Sequence, residues 1–247
     1  KILDWGSVYG KKKQRQRGQV PIPVIIMAGG RGDRLEPFTK ILPKPLIPIH
    51  EKPVIEHIID KFLESGVSEF ILSINYKARL MKAYFEELQP KYLVSFIEER
   101  EPLGTAGCLG ELDGRFDTPI LVTNCDVILD IDLADLFKFH VDNENQVTLV
   151  ASVKKFTIPY GACELNSEGE LKEIHEKPSY ELLANVGLYM MQPSLFQYIP
   201  EGQHMDMTQF LEKMRKVDKK IGVYPVHDEC WFDVGQWTEY QNTVEKM

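Results

Sequence analysis

The residues richest in chemistry lie between 29 and 49, GGRGDRLEPFTKILPKPLIPI. They follow directly on a short apolar run, PVIIMA at 23–28. Glycines after a strand let the backbone approach a ligand closely. Successive free amides in such a loop form a concavity that binds anions. Arg31, Arg34, Lys40 and Lys44 fall within fourteen positions of that loop. A glycine loop with four cations suggests a polyphosphate ligand; a surface turn with solvated charges is the alternative for the loop taken alone. Two common phosphate motifs do not fit. A P-loop needs G-x-x-x-x-G-K-S/T, which is absent. A dinucleotide loop leads straight into a helix, whereas Gly30 and Gly32 are followed by Pro37, Pro43, Pro45 and Pro48. Prolines at that density predict that no helix forms there, which disfavours hydride transfer.

Two carboxylates are candidates for holding a hard cation. Asp126 ends an apolar run, where ligands of open α/β sheets sit, and Asp233 lies in Trp231-Phe232-Asp233-Val234-Gly235. Magnesium takes oxygen ligands and keeps several waters, so one or two carboxylates suffice. Either aspartate alone reads rather as a helix cap or turn former, and Glu176–Lys177 alone as a solvent-exposed pair. Asp130-Ile131-Asp132 spells a D-x-D metal motif of the kind a glycosyltransferase needs. Leu129 and Leu133 flank it and a helix start follows, so Asp132 is expected to be an N-cap.

Taken together, these stretches resemble the sugar-phosphate nucleotidyltransferases, or NDP-sugar pyrophosphorylases. The family signature runs G-G-x-G-x-R-L, then P-x-T, then P-K-P-L-x-P, and all three parts stand here in order. EPLGTAG at 101–107 resembles the family's nucleotide-base loop and NCD at 124–126 its N-G-D metal element. YG at 160–161, EKP at 176–178, NVGLY at 185–189 and WFDVG at 231–235 follow in family order. The resemblance covers about residues 22–246. It departs at Asp33, Phe38 and Cys125, where Thr or Ser, Leu and Gly are usual; none of these removes a charged group. Its texture is similar to bacterial guanylyltransferases acting on hexosamine, mannose or heptose 1-phosphates.

The resemblance implies a single Rossmann-like α/β domain with a mixed sheet. It implies that an NTP and a sugar 1-phosphate give an NDP-sugar and pyrophosphate, with Mg2+ as cofactor. The nucleophile is then a phosphate oxygen, already ionised at neutral pH, so no general base is required. Catalysis rests on in-line positioning and charge neutralisation. The residues implied for catalysis are Arg34, Lys44, Asp126 and Lys177, with Asp126 and Asp233 on the metal. Ala28, Gly29, Gly30, Gly32, Glu99, Gly104 and Thr105 would hold the nucleotide. Tyr160, Gly161, Glu176, Lys177, Asn185 and Gly187 would hold the sugar phosphate. A catalytically silent nucleotide-sugar-binding subunit is the alternative from another class. Such subunits tend to lose the metal carboxylates or phosphate cations, all of which are present here.

The base follows from donor and acceptor types. In thymidylyl and uridylyl relatives an amide side chain a few residues before the loop glycine reads the pyrimidine. Counting back five from Gly104 gives Glu99, with Glu98 beside it. An ionised carboxylate only accepts hydrogen bonds. Guanine offers two adjacent donors to it, whereas uracil and thymine flank one N–H with two carbonyls. GTP is favoured, with a dTTP- or UTP-dependent member of the family as the alternative. The sugar and the oligomeric state stay open.

Composition sets the frame for this chemistry. The 247 residues are 43% hydrophobic and 27% charged, ordinary for a globular protein and enough for a full core. The net charge of −8 argues against nucleic acid as a partner. Residues 1–20 hold six basic residues and one acid, so residues 21–247 carry −13. The basic run KKKQRQRGQ reads as a solvated linker, or the remnant of an upstream module such as the CBS pair of some relatives, and residues 21–247 as one catalytic domain. No apolar run reaches the ~20 residues of a membrane helix, and no signal peptide is visible. Cys108, Cys125, Cys163 and Cys230 form no C-x-x-C pair and are expected reduced and mostly buried, in the cytoplasm.

Apolar periodicity supplies the elements that position these residues. Strands are expected at 23–28, 70–75, 92–98, 119–124 and 147–153, alternating with helices at 52–65, 78–88, 105–112 and 133–142. That alternation predicts a parallel-dominated sheet with helices on both faces. Segments 160–166, 171–176 and 185–192 should add antiparallel or mixed strands to the same sheet. A helix at 207–217, a strand at 221–225 and a final helix from Trp237 complete the expectation.

Overall fold

The computed structural model describes residues 18–247, so most of the basic run lies outside the described residues. The chain forms a seven-stranded sheet, numbered below in chain order, with helices on both faces. Strand β1 (Val24–Met27) is flanked by β4 (Glu69–Ile74) and β6 (Ile120–Asn124), both parallel to it. Beyond β4 lies β5 (Leu93–Glu98), and beyond β6 come β11 (Ser179–Met191), β8 (Val147–Thr157) and β12 (Ile221–Val226). Only β11 runs antiparallel to its neighbours in this sheet. A mixed, mostly parallel sheet is therefore the observed architecture.

The strand sequences explain the layering. Parallel strands covered on both faces read as continuous apolar runs, and all four residues of β1 are buried. Alternate side chains point to opposite faces. Val24 and Ile26 join one core with Phe70, Leu72 and Leu121. Ile25 and Met27 join the other with Ile71 and Val122. The first core is roofed by α2 (Val54–Leu63), α3 (Ala78–Leu88) and α4 (Leu133–Asp142), the second by α5 (Met207–Lys216). Helix α4 starts where its cap was expected: the Asp132 carboxylate accepts from the amides of Ala134 at 3.0 Å and Asp135 at 3.2 Å. Burial of Ile55, Ile58, Ile59 and Phe62 on one face of α2 follows its helical period.

The structure differs from the sequence expectations in three places. First, the proline-rich stretch does contain helix. A single turn, α1 (Phe38–Ile41), follows Pro37, and 3₁₀ turns occupy Asp33–Leu35 and Lys44–Leu46. Proline breaks a helix interior but is tolerated in its first turn, and one-turn helices have no interior. Second, the helix expected at 105–112 is a 3₁₀ segment, Gly107–Leu112. Third, 160–166 and 171–176 do not join the sheet. They form their own hairpin, β9 (Ala162–Leu165) and β10 (Leu171–His175). Those strands are exposed on nearly every residue, and the apolar side chains they pair, Leu165 with Leu171 and Cys163 with Ile174, are not packed on either core.

Smaller pairs complete the fold: β2 (Pro48–Ile49) with β3 (Lys52–Pro53), and β7 (Val127–Leu129) with β13 (Trp231–Asp233). Helix α6 (Trp237–Lys246) ends the chain. At the other end Val20 is buried, and its amide donates to Ser65 O at 2.8 Å. Contact with the domain thus includes the last three residues, 18–20, of the segment read as linker. No described helix is long and apolar enough to cross a membrane. All four cysteines are free; Cys108 and Cys125 are buried, Cys230 is partly buried and Cys163 is exposed.

Candidate active site

The chain leaves β1 towards β4 and β5 on one side and then returns to β6 on the other. Such a reversal opens a crevice beyond the carboxyl ends of the strands, where open α/β sheets bind ligands. Two adjoining cavities lie there. One, of about 440 Å3, is lined by Gly29, Gly30, Gly32, Arg34, Lys44, Glu99, Gly104, Thr105 and Asp126 together with Met27, Asp33, Pro102, Asn124 and Cys125. The other, of about 320 Å3, is lined by Asn185, Gly187, Tyr189, Met207, Thr208, Trp231 and Asp233 among others. Thr105, Asn124 and Asp126 line both.

The first cavity takes its walls from three strand ends. After β1 the Ala28 amide donates to Ser73 O at 2.8 Å, so Ala28 is buried and the glycines after it form the lining. Gly32 adopts φ 73°, a left-handed conformation that glycine takes without strain. Of the four cations in this stretch, Arg34 and Lys44 line the cavity, while Lys40 turns to Glu36 at 2.8 Å. Lys44 is 8% exposed and donates to Asp126 at the end of β6. At the end of β5, Glu99 is 5% exposed, and its carboxylate accepts from the Ser73 hydroxyl and from the Leu103 amide at 2.9 Å. Each carboxylate oxygen has a further lone pair for a ligand. Glu98 faces the other way, paired with Lys82 at 2.5 Å, which leaves Glu99 as the base-reading candidate.

The second cavity forms where β11 breaks register between Asn185 and Tyr189. Gly187 adopts φ 84° in this break, and a Cβ there would lie 2.5 Å from Asn124 Nδ2. Asn185 braces the turn, accepting from the Gly187 amide at 3.0 Å and donating to the Tyr189 hydroxyl at 2.7 Å. Thr105 ties the base loop to α5 by accepting from the Met207 amide at 2.8 Å.

Asp126 and Asp233 converge on Gly235. A Cβ at Gly235 would stand 2.6 Å from Asp126 Oδ2 and 3.0 Å from Asp233 Oδ1. Burial raises the Asp233 carboxyl above its ordinary range, and the neighbouring Asp126 charge adds to this. Two oxygen donors converging at the cavity junction suit a hard divalent cation. A second group of possible ligands, Glu164, Glu173 and His175, lies on the β9–β10 hairpin, away from both cavities.

Four of the residues expected at the sugar phosphate stand apart. Tyr160, Gly161, Glu176 and Lys177 are exposed, on segments leading into and out of that hairpin, and line neither cavity. They neighbour one another, since a Cβ at Gly161 would lie 3.2 Å from Glu176 Oε2. Conversely, Ser73, Asn124, Thr208 and Trp231 belong to the site or its support without having been singled out. Asn124 was visible as the first residue of N-C-D. Ser73, a lone serine in an apolar strand, carries no such signal.

A doubly covered α/β sheet, a glycine loop with a buried lysine and an exposed arginine, and a pair of converging carboxylates define a nucleotide-handling protein. The chain belongs to the nucleotidyl transferase family, whose sequence profile matches residues 23–247. It is similar to a mannose-1-phosphate guanyltransferase of Yarrowia lipolytica, 37% identical over 185 residues, 71% of this chain and 50% of that one. A UTP–glucose-1-phosphate uridylyltransferase of Synechocystis is 28% identical over 89% of this chain and 62% of its own length. The chain thus spans half to three fifths of the length of such relatives. HddC from Yersinia pseudotuberculosis, also solved with GMP-PN, shares the fold with a TM-score of 0.70. That match covers 91% of this chain and 99% of HddC at 23% identity.

Proposed function

We propose that this chain transfers a nucleoside monophosphate from an NTP, GTP by preference, to a sugar 1-phosphate. The observation that carries the reading is the pair of adjoining cavities that share Asp126, one of them lined by the glycine loop, Arg34, Lys44 and Glu99. The first cavity takes the nucleotide. Arg34 grips phosphate oxygens in bidentate fashion and Lys44 acts as a point charge; together they hold the triphosphate and stabilise the departing pyrophosphate. The second cavity takes the sugar, with Asn185 and the Gly187 backbone on its hydroxyls. An oxygen of the sugar phosphate attacks the α-phosphorus in line, the bond to the β-phosphate oxygen breaks, and no side chain has to remove a proton.

Asp126 and Asp233 would hold Mg2+, which would neutralise charge on the reacting phosphates when bound. Lys177 and Glu176 are assigned to the incoming sugar phosphate by family pattern alone, and their exposed position makes them an outer contact. Glu99 supports GTP because its free lone pairs suit the two adjacent donors of guanine. Relatives named for mannose 1-phosphate put that sugar first among those to test. The test is a pyrophosphate-release assay crossing five NTPs with a panel of sugar 1-phosphates. Mg-dependent turnover with GTP and one sugar is expected; no turnover with any pair overturns the reading.

A further inference from the structure

A groove of about 1050 Å3 lies at the edge of the sheet, against strand β12. Its wall carries five carboxylates, Asp130, Asp132, Glu181, Asp228 and Glu229, against Lys155. Lys154 pairs with Asp228, and Lys61 stands 3.6 Å from Asp130. Even with both counted, five acids face three lysines. The floor is apolar, with Val153, Pro225 and Val226.

The chain itself arrives at the lip of this groove. Val20 is anchored on Ser65, and Gly18 is pressed so close to α4 that a Cβ on it would lie 2.7 Å from the Ala134 Cβ. Ala134 in turn donates its amide to the groove wall at Asp132. Immediately before Gly18 the sequence is KKKQRQR, five basic residues in seven and no acid, at 11–17. Seven extended residues span up to about 24 Å, so the run can lie along the groove without moving the anchor.

We propose that this groove is the docking surface for the basic segment 11–17 of the same chain. Charge complementarity selects the segment. The fixed point at Gly18 holds it at an effective concentration in the millimolar range, where individually weak ion pairs suffice. Surface pairs of this kind are screened by salt, so the contact is reversible. The occupied wall, at 228–230, leads directly into β13, which carries Asp233. A signal from whatever binds the basic segment would therefore act one strand away from the site.

Zero-length carbodiimide crosslinking of the full 247-residue chain tests this, with products mapped by mass spectrometry. Lys11, Lys12 or Lys13 should join Glu181, Asp228 or Glu229 in preference to exposed acids elsewhere. The yield should fall several-fold when salt rises from about 0.05 to about 0.5 M, and in Glu181→Gln/Glu229→Gln, a surface change that leaves the core intact. Mixing ¹⁴N- and ¹⁵N-labelled chains separates crosslinks within one chain from those between two. Crosslinks spread evenly over surface acids, none at all, or predominantly mixed-isotope pairs would each overturn the proposal.

Discussion

Lys44 donates to Asp126 across 82 positions of sequence, joining the proline-rich loop after β1 to the end of β6. Both side chains are largely buried, at 10% and 16% exposed. Removing one partner of a buried pair leaves the other uncompensated, which is far costlier than removing both. Lys44→Met should lower the melting temperature, and adding Asp126→Asn should restore part of the loss. A purely additive double mutant in thermal unfolding would contradict this coupling. Catalysis should follow another pattern. Because the proposed mechanism uses Lys44 on phosphate and Asp126 on the metal, each single change should cut turnover by roughly 10²–10³, and the double change should not recover it. Turnover above a tenth of wild type in either single variant would remove that residue from its assigned role.

The proposed preference for GTP rests on Glu99. Its carboxylate is held by the Ser73 hydroxyl and the Leu103 amide. Glutamine can keep both contacts: its carbonyl accepts from Leu103, and the serine oxygen accepts from its amide. Glu99→Gln should therefore fold normally. It loses an acceptor for guanine and gains a donor for a pyrimidine carbonyl. The ratio of kcat/KM for GTP to that for UTP should fall by about 10- to 100-fold, the worth of one or two hydrogen bonds to a charged group. An unchanged ratio would remove guanine recognition from Glu99.

The legible parts of the molecule are those with periodicity or motif. The apolar runs of β1, β4 and β6, and α3 and α4 to the residue, follow from period and capping alone. Motif order brought Arg34, Lys44, Asp126 and Asp233 to one crevice, although up to two hundred positions separate them. What escaped has a physical cause. Segments 160–166 and 171–176 alternate like strands, and alternation does not say which sheet a strand joins. The turn α1 escaped because a proline rule for helix interiors does not govern single turns. Ser73 escaped because a serine beneath a carboxylate is indistinguishable in sequence from one beneath an aliphatic side chain.

Beside Asn124, which lines both cavities, Gly187 lines the second. Its φ of 84° strains any side chain, and a Cβ there would stand 2.5 Å from Asn124 Nδ2. Gly187→Ala should destabilise the protein by about 1–3 kcal/mol and raise KM for the sugar 1-phosphate through the displaced Asn124. In an Asn124→Ala background the same change should cost less, because the clash is gone and only the backbone strain remains. An equal cost in both backgrounds, by chemical denaturation, would show that Asn124 yields freely.

His140 gives the fold a pH dependence separate from the site. It is fully buried between α4, β8 and the end of β11. Nδ1 lies 2.8 Å from Thr148 Oγ1, and Nε2 lies 3.1 Å from Gln192 Nε2. The Gln192 amide donates to Nε2, so Nδ1 carries the proton and donates to Thr148. A protonated ring would set two donors against each other, and burial pushes the His140 pKa down to about 4. The unfolded chain binds a proton near the ordinary 6.5, so between the two values it holds more protons than the native state. Stability from this group is complete above pH 6.5 and is lost as pH falls towards 4, with a ceiling of about 3 kcal/mol. Urea unfolding at pH 7 and pH 4.5 should show this loss in the wild type. In His140→Gln, which is less stable at pH 7, the difference between the two pH values should shrink correspondingly. If the variant shows the same difference as the wild type, the acid sensitivity belongs to other groups.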